Sequence, residues 1–240
     1  LRTSLMPGQL KIISYNQSHR IKKLKFFEIG HVYLPSEDDQ LLPDEREYLS
    51  ISIAGGDATE IVAILDMISL TMAFPNMQLK QQEIEGLHPG RSAQVFVAGQ
   101  ERGAVGEVDP RVLRHYGIDD SVAWLELDLG SILAGPFGKK KYTSVSKYPS
   151  SDIDLAFEVP DDTSSASVAG CLRKAGGTYL KEVQLFDSYK ADGANEGVRS
   201  LAYSLRFQSD EGTLTDAEVS ELRSACISEV EQKTNAKLRE

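Results

Sequence analysis

The sequence is short of the residues that several protein classes depend on. Cysteine occurs twice in 240 residues, at Cys171 and Cys226, on separate predicted helices with no CxxC and no histidine nearby. That argues against a disulfide scaffold and a cysteine-based zinc site. Two unpaired, buried thiols fit a reducing cytoplasm, which is the compartment expected here. No apolar run approaches the roughly 20 residues that span a bilayer. The opening LRTSLMPGQL lacks the continuous apolar core of a signal peptide. Positive charge is scarce as well: 26 Lys and Arg face 36 Asp and Glu, a net of −10. The deficit is shared, with 11 basic against 17 acidic residues in 147–240 and 15 against 19 in 1–146. Tight nonspecific nucleic-acid binding draws on a basic stripe that releases counterions. Any RNA contact is therefore expected to be local, weak or shared with another chain.

Catalytic motifs are missing too. There is no P-loop, GxGxxG, HExxH or GxSxG, and no Cys/His cluster at metal-ligand spacing. The histidines, at 19, 31, 88 and 115, are far apart. Asp152 and Asp154, at i and i+2, face one side of a predicted strand and could work as an acid/base pair. A solvated sheet face, with Ile153 and Leu155 turned to the core, is the better reading. HPGRSA, residues 88–93, reads as a turn entering a strand, with anion binding through the Gly90 amide and Arg91 as the lesser option. Catalysis by this chain alone has no support.

What is present is a clear order of elements. Residues 1–20 form a helix with Pro7 in its first turn. KFFEIGHVYLP alternates as a strand, SEDDQLLPDERE is an acidic loop, and YLSISIAG is a second strand. In DATEIVAILDMISLTMAF, Asp57 is the expected N-cap and Ile61, Val62, Leu65, Ile68 and Met72 share a face; Met67 and Met72 read as core. MQLKQQEI, AQVFVAG, RGAVGEVD and VAWLELDL are strands, with a short helix PRVLRHYGI before the last. Strands interrupted by helices without βαβ alternation predict an α+β domain on an antiparallel sheet, over residues 1–134. Residues 135–150, rich in Gly, Ser, Lys and Pro, form the linker. Residues 151–240 then read strand, helix, strand, strand, helix, strand, the ferredoxin-like βαββαβ order, with a Thr215–Glu218 capping box on the last helix. That fold covers one sheet face with helices and leaves the other free.

Within LFDSYKADGANEGVRSLAYSLRF, residues 185–207, Asp187 and Tyr189 share a face and Ser200 opens the partner strand. Whether Phe186 joins them depends on a bulge that periodicity cannot reveal. A tyrosine on an open sheet is a stacking platform for an unpaired base. A carboxylate beside it accepts hydrogen bonds from base amino and imino groups. Lys139, Lys140 and Lys141 are the densest basic run of the linker and the candidate contact for a nucleic-acid backbone, though such runs are more often simply solvated.

The order KYPSSDIDLAF, LFDSY, EGVRSLAYSLRF, GTLTDAEV and AKLR resembles the ferredoxin-fold anticodon-binding domain that ends the β subunit of bacterial phenylalanyl-tRNA synthetases. LRTSLMPGQL, LKFFEIGHVY, LHPGRSAQV and GAVGEVDPRVLRHYGI are similar to the catalytic-like domain of that subunit. The resemblance implies a partial, noncatalytic, class II synthetase-like domain followed by the anticodon-binding domain, in a piece of a longer subunit. It implies that adenylation and transfer, using ATP and Mg2+, occur in a partner α subunit within an α2β2 assembly. This chain is then part of a ligase without a catalytic residue, a metal or a cofactor of its own. By the same resemblance, Asp187, Tyr189 and Ser200 read the tRNA(Phe) anticodon. Where the family often has Arg-Asp-Leu this chain has Ile153-Asp154-Leu155, so no arginine contact carries over there. The competing expectation is a structural or regulatory protein-binding module that reuses both folds without binding tRNA.

Overall fold

The computed structural model describes residues 1–36, 42–74, 77–135, 142, 145–189 and 197–239. It divides into two units, Leu1–Lys141 and Tyr142–Glu240.

The first unit is built on a six-stranded antiparallel sheet. Its strands are β1 (Leu24–Leu34), β2 (Asp44–Ala54), β3 (Gln78–Gln81), β4 (Leu87–Val97), β5 (Gln100–Val108) and β6 (Val122–Asp128), in the order β1-β2-β6-β5-β4-β3. Central β6, VAWLELD, is buried along its whole length because both its faces are covered. Ala123, Leu125 and Leu127 join Ile61 and Leu65 of α2 (Ala58–Met72) in one core. Val122 and Trp124 join Met6, Leu10 and Ile13 of α1 (Met6–Ser18) in the other. Leu113, from the short α3 (Pro110–His115), belongs to that second core. Close packing at the sheet centre requires glycine: a Cβ on Gly103 would run into the Glu126 carbonyl of β6, and one on Gly106 into the Arg91 carbonyl of β4.

Asp57 caps α2 as expected, accepting from the Glu60 amide at 2.9 Å. Four local expectations are corrected. DERE belongs to β2, paired with β1 as far as Asp44↔Leu34, because cross-strand pairing outweighs its loop-like composition. HPGRSA lies within β4, and its polar groups are spent internally: the Gly90 amide donates to His88 Nδ1 at 3.1 Å and Arg91 donates to Glu107 Oε2 at 2.6 Å. Met67 and Met72 are 59% and 40% exposed, not core, since only the Ile61–Leu65 part of α2 bears fully on the sheet. A helical turn, α4 (Leu129–Leu133), follows β6 where only strand was expected; Asp128 caps it, accepting from the Ser131 amide at 2.9 Å.

In the second unit, β7 (Ser151–Pro160), α5 (Ser165–Gly176), β8 (Leu180–Tyr189), β9 (Val198–Phe207), α6 (Asp216–Thr234) and β10 (Lys237–Leu238) give an antiparallel sheet in the order β10-β7-β9-β8. This is the expected ferredoxin-like βαββαβ arrangement within an α+β chain. Leu155, Phe157 and Val159 of β7 and Leu201, Tyr203, Leu205 and Phe207 of β9 pack against Val168 and Leu172 of α5 and Cys226 and Val230 of α6. Tyr203 keeps its hydroxyl satisfied by donating to the Ser165 carbonyl at 2.9 Å. The Thr215–Glu218 capping box is formed in both directions. Both cysteines are free thiols; burial pushes Cys226 up to about 11, so it stays protonated. Among the described residues no helix is long and apolar enough to cross a membrane.

Candidate nucleic-acid interface

Pairing between β7 and β9 determines which side chains reach the uncovered face of the second sheet. Asp152↔Arg206, Asp154↔Ser204, Ala156↔Ala202 and Glu158↔Ser200 are opposite one another and point away from the helices. The odd-numbered residues between them form the core. β8 complicates this alternation. Val183 pairs with Leu205 and Leu185 with Tyr203, so both lie on the helix side. By simple alternation Asp187 would follow them. Instead the register shifts between Leu185 and Asp187, and Asp187 pairs with Ala202, Ser188 with Leu201 and Tyr189 with Ser200. Phe186 is the extra residue of a β-bulge, and the bulge transfers Asp187 and Tyr189 to the open face.

The three sequence-predicted residues therefore meet. Tyr189 and Ser200 are direct cross-strand neighbours, a relation that sets Cβ atoms about 4.5–5.5 Å apart. Asp187 lies one pair further along the same face. Tyr189 is half exposed, and Phe186 remains 55% exposed. The floor beneath them is low, because β9 contributes Ser200, Ala202 and Ser204. The Ser200 hydroxyl has one neighbour: Arg239 Nη1 donates to Ser200 Oγ at 3.5 Å, while the Arg239 amide donates to the Ala156 carbonyl at 2.8 Å. With one lone pair facing a guanidinium, Ser200 keeps its O–H free to donate and a second lone pair to accept. The surface thus offers an aromatic plate, a carboxylate acceptor and a hydroxyl donor side by side. Such a set suits a flat heterocycle that carries both donors and acceptors.

The other end of the face is already engaged. Arg206 grips Asp152 through two bonds, Nε to Oδ1 at 2.9 Å and Nη2 to Oδ2 at 3.1 Å, and also reaches Glu182 at 3.1 Å. The Arg206 hydrogen bonds hold the Asp152 carboxyl below its usual range. Asp152 and Asp154 share a face as expected, but Asp152 serves an ion pair, and the acid/base reading has no geometry behind it. Lys139, Lys140 and Lys141 lie outside the described residues. Sequence reasoning missed Arg239, whose part depends on a two-residue final strand pairing with β7.

In the first unit, most of the polar side chains buried near α1 bond to one another, while Trp124 Nε1 finds no partner among the described residues. Gln9 Oε1 accepts from the hydroxyls of Ser50 and Ser52, and its amide donates to the Ser50 carbonyl. Glu126 Oε2 accepts from the Leu5 amide at 2.8 Å and from Ser4 Oγ at 3.2 Å. Desolvation raises that carboxyl to about 7, the two hydrogen bonds offsetting only part of the effect. Asp128 is held by Arg46 and Ser131. Among the described residues no group of three His, Cys, Asp or Glu could hold a metal ion.

Comparison with known proteins gives two family matches. Residues 1–129 match the phenylalanyl tRNA synthetase beta chain CLM domain, and residues 146–239 match the ferredoxin-fold anticodon binding domain. The phenylalanine–tRNA ligase beta subunit of Clostridium tetani is 33% identical over 241 residues, covering all of this chain and 30% of its own length. The Haemophilus influenzae beta subunit is 31% identical over 254 residues, covering all of this chain and 32% of itself. That of Lactiplantibacillus plantarum is 32% identical over 234 residues, covering 91% of this chain and 29% of itself. The chain thus spans about 30% of the length of the curated relatives it matches. Among solved structures, a pyrrolysyl-tRNA synthetase of Desulfitobacterium hafniense aligns over 55% of this chain and 48% of its own, at 20% identity and a TM-score of 0.45.

Proposed function

The chain belongs to the phenylalanyl-tRNA synthetase β-chain family, and from that premise we propose that it is the noncatalytic part of such an enzyme that reads the anticodon of tRNA(Phe). Asp187, Tyr189 and Ser200 make the reading. Tyr189 stacks on an unpaired base, Asp187 accepts from its amino or imino edge, and Ser200 donates to a base acceptor. The observation that carries the proposal is the bulge at Phe186, which has no role in the helix-side core yet puts two of the three residues on the free face. The first unit would pack against a catalytic α subunit, where ATP and Mg2+ support adenylation and transfer. An α2β2 assembly and a cytoplasmic location belong to the same reading.

The test is Tyr189→Ala in the assembly with the α subunit. Loss of one base–aromatic stack, worth roughly 1–3 kcal/mol, is expected to weaken tRNA(Phe) by about tenfold or more. Affinity for a tRNA with a substituted anticodon should move little. Equal affinities of wild type and variant for tRNA(Phe) would sink the anticodon role and favour a protein-binding module instead.

A further inference from the structure

The acidic chain has two stretches of opposite character, the linker around Lys139–Lys141 and the start of the chain. Residues 1–27 contain six Lys and Arg and no Asp or Glu. Five of the six fall in Lys11–Lys25, the end of α1 and its turn into β1. The turn is tight: the amides of His19 and Ile21 both return to the Asn16 carbonyl at 3.0 Å, and that of Arg20 returns to the Gln17 carbonyl at 2.9 Å. Arg20 adopts φ 68, in the left-handed region, which reverses the chain without glycine. Lys11, Tyr15 and His19 follow one another at i, i+4 and i+8, so they line one face of the helix as it runs into the turn. Tyr15 is 66% exposed, and its ring lies 4.4 Å from that of His19. Arg20, Lys22 and Lys23 follow, all exposed.

These cations are available. Lys11, Arg20, Lys22 and Lys23 are in no ion pair with a described residue. The nearby carboxylates are occupied instead: Glu60 pairs with Lys25, and Asp120 accepts from Gln17 Nε2 at 3.3 Å. Lys22, Lys23 and Lys25 line a cleft of about 380 Å³ beside Gly55. A lipid surface would require the apolar side of α1, but Met6, Leu10 and Ile13 are buried in the core.

We propose that Lys11, Tyr15, His19, Arg20, Lys22 and Lys23 form a second RNA contact, blind to sequence, on the first unit. The Lys and Arg side chains neutralise sugar-phosphate backbone, and the Tyr15–His19 pair supplies a stacking surface for a ribose or an unpaired base. The inference rests on the tRNA reading above and deepens it. Base discrimination comes from the second unit, and part of the affinity comes from this patch, which a chain with a net charge of −10 would otherwise lack. Lys139–Lys141, the candidate backbone contact in the linker, lie outside the described residues, whereas Lys11, Arg20, Lys22 and Lys23 are exposed and sit together toward one end of α1.

The experiment measures binding of the full 240-residue chain to tRNA(Phe) and to the same tRNA with a substituted anticodon, across a salt series. The variants are the triple Arg20→Glu, Lys22→Glu, Lys23→Glu and, separately, Tyr189→Ala. The triple variant is expected to weaken both RNAs by a similar factor, about tenfold or more, and to flatten the log–log salt dependence by about 2, given roughly 0.7–0.9 per phosphate contact. Tyr189→Ala should reduce the preference for the cognate anticodon and leave the salt slope alone. If the triple variant keeps wild-type affinity and slope while Tyr189→Ala still loses the preference, the patch is refuted and the anticodon reading stands. The opposite pattern supports the patch and refutes the anticodon reading. Retained RNA binding, with loss of binding only to vesicles of acidic phospholipid, also overturns the proposal. A circular dichroism melt confirms that these surface variants are folded.

Discussion

Glu126 is buried on β6 and accepts from the Leu5 amide at the start of α1, and desolvation pushes its carboxyl up from 4.5 to about 7. The folded state therefore binds this proton more tightly than the unfolded chain does. Its contribution to stability is complete below about pH 4.5, diminishes as pH rises to about 7, and is absent above that. Glu126→Gln keeps an acceptor for Leu5 without a charge to desolvate. Urea unfolding is expected to show the variant more stable than wild type at pH 8, by up to roughly 3 kcal/mol, with the gap closing toward pH 4.5. Parallel stability–pH curves for the two proteins would refute this account. Asp187 is a residue of the opposite kind, exposed and outside the cores. Asp187→Asn exchanges one acceptor for a donor at constant size. It should change the unfolding free energy by less than about 0.5 kcal/mol. It is expected to lower discrimination between cognate and substituted anticodons about tenfold, read from the ratio of the two binding constants.

Among the elements, β8 presents the candidate site. Its bulge is a one-residue change of parity, and parity chooses between the helix side and the free side. Deleting Phe186 restores strict alternation. The chain can then keep Val183 packed on the core and Leu185 on the helix side only by turning Asp187 and Tyr189 to that side as well, or slip and expose Val183. Either way the deletion variant is expected to lose anticodon preference as fully as a double substitution at Asp187 and Tyr189. Its thermal midpoint should also fall, as a melt followed by far-UV circular dichroism would record. Preference that survives the deletion would show that the bulge does not present these residues. The turn from α1 to β1 makes a similar point: its charges are plain in the sequence, but their gathering around Tyr15 and His19 follows from a left-handed Arg20 and an early return of the chain.

At the scale of the molecule, each unit has its own core. The second is closed around Phe157, Tyr203, Leu205, Phe207, Cys226 and Val230, all with 1% exposure or less. Residues 142–240 alone are therefore expected to unfold cooperatively in urea, with one transition common to tryptophan-independent fluorescence and circular dichroism. Phe157→Ala in that piece should cost about 3–5 kcal/mol. A broad, noncoincident transition would show that the piece does not fold on its own. With both thiols free, a reductant should leave its midpoint unchanged.

Much of this architecture was legible from local pattern. Alternation in DIDLAFEVP and RSLAYSLRF, the Asp57 cap and the Thr215–Glu218 box describe elements whose determinants lie within a few residues of one another. The same locality explains what was not legible. DERE is strand because β1 pairs with it, and α4 forms where Asp128 meets a free amide. Met67 and Met72 are apolar but largely exposed, outside the face of α2 that Ile61, Leu65 and Ile68 turn to the sheet. At the candidate site the sequence by itself determined the chemistry available: an aromatic ring, a carboxylate and a hydroxyl near one hairpin. Only the tertiary structure decided that they share a face, because the register of β8 against β9 is a long-range choice that sets Val183 and Leu185 on the helix side and leaves Phe186 over before Asp187. That surplus residue is Phe186, and its insertion is the physical reason Asp187 and Tyr189 reach the open side of the sheet.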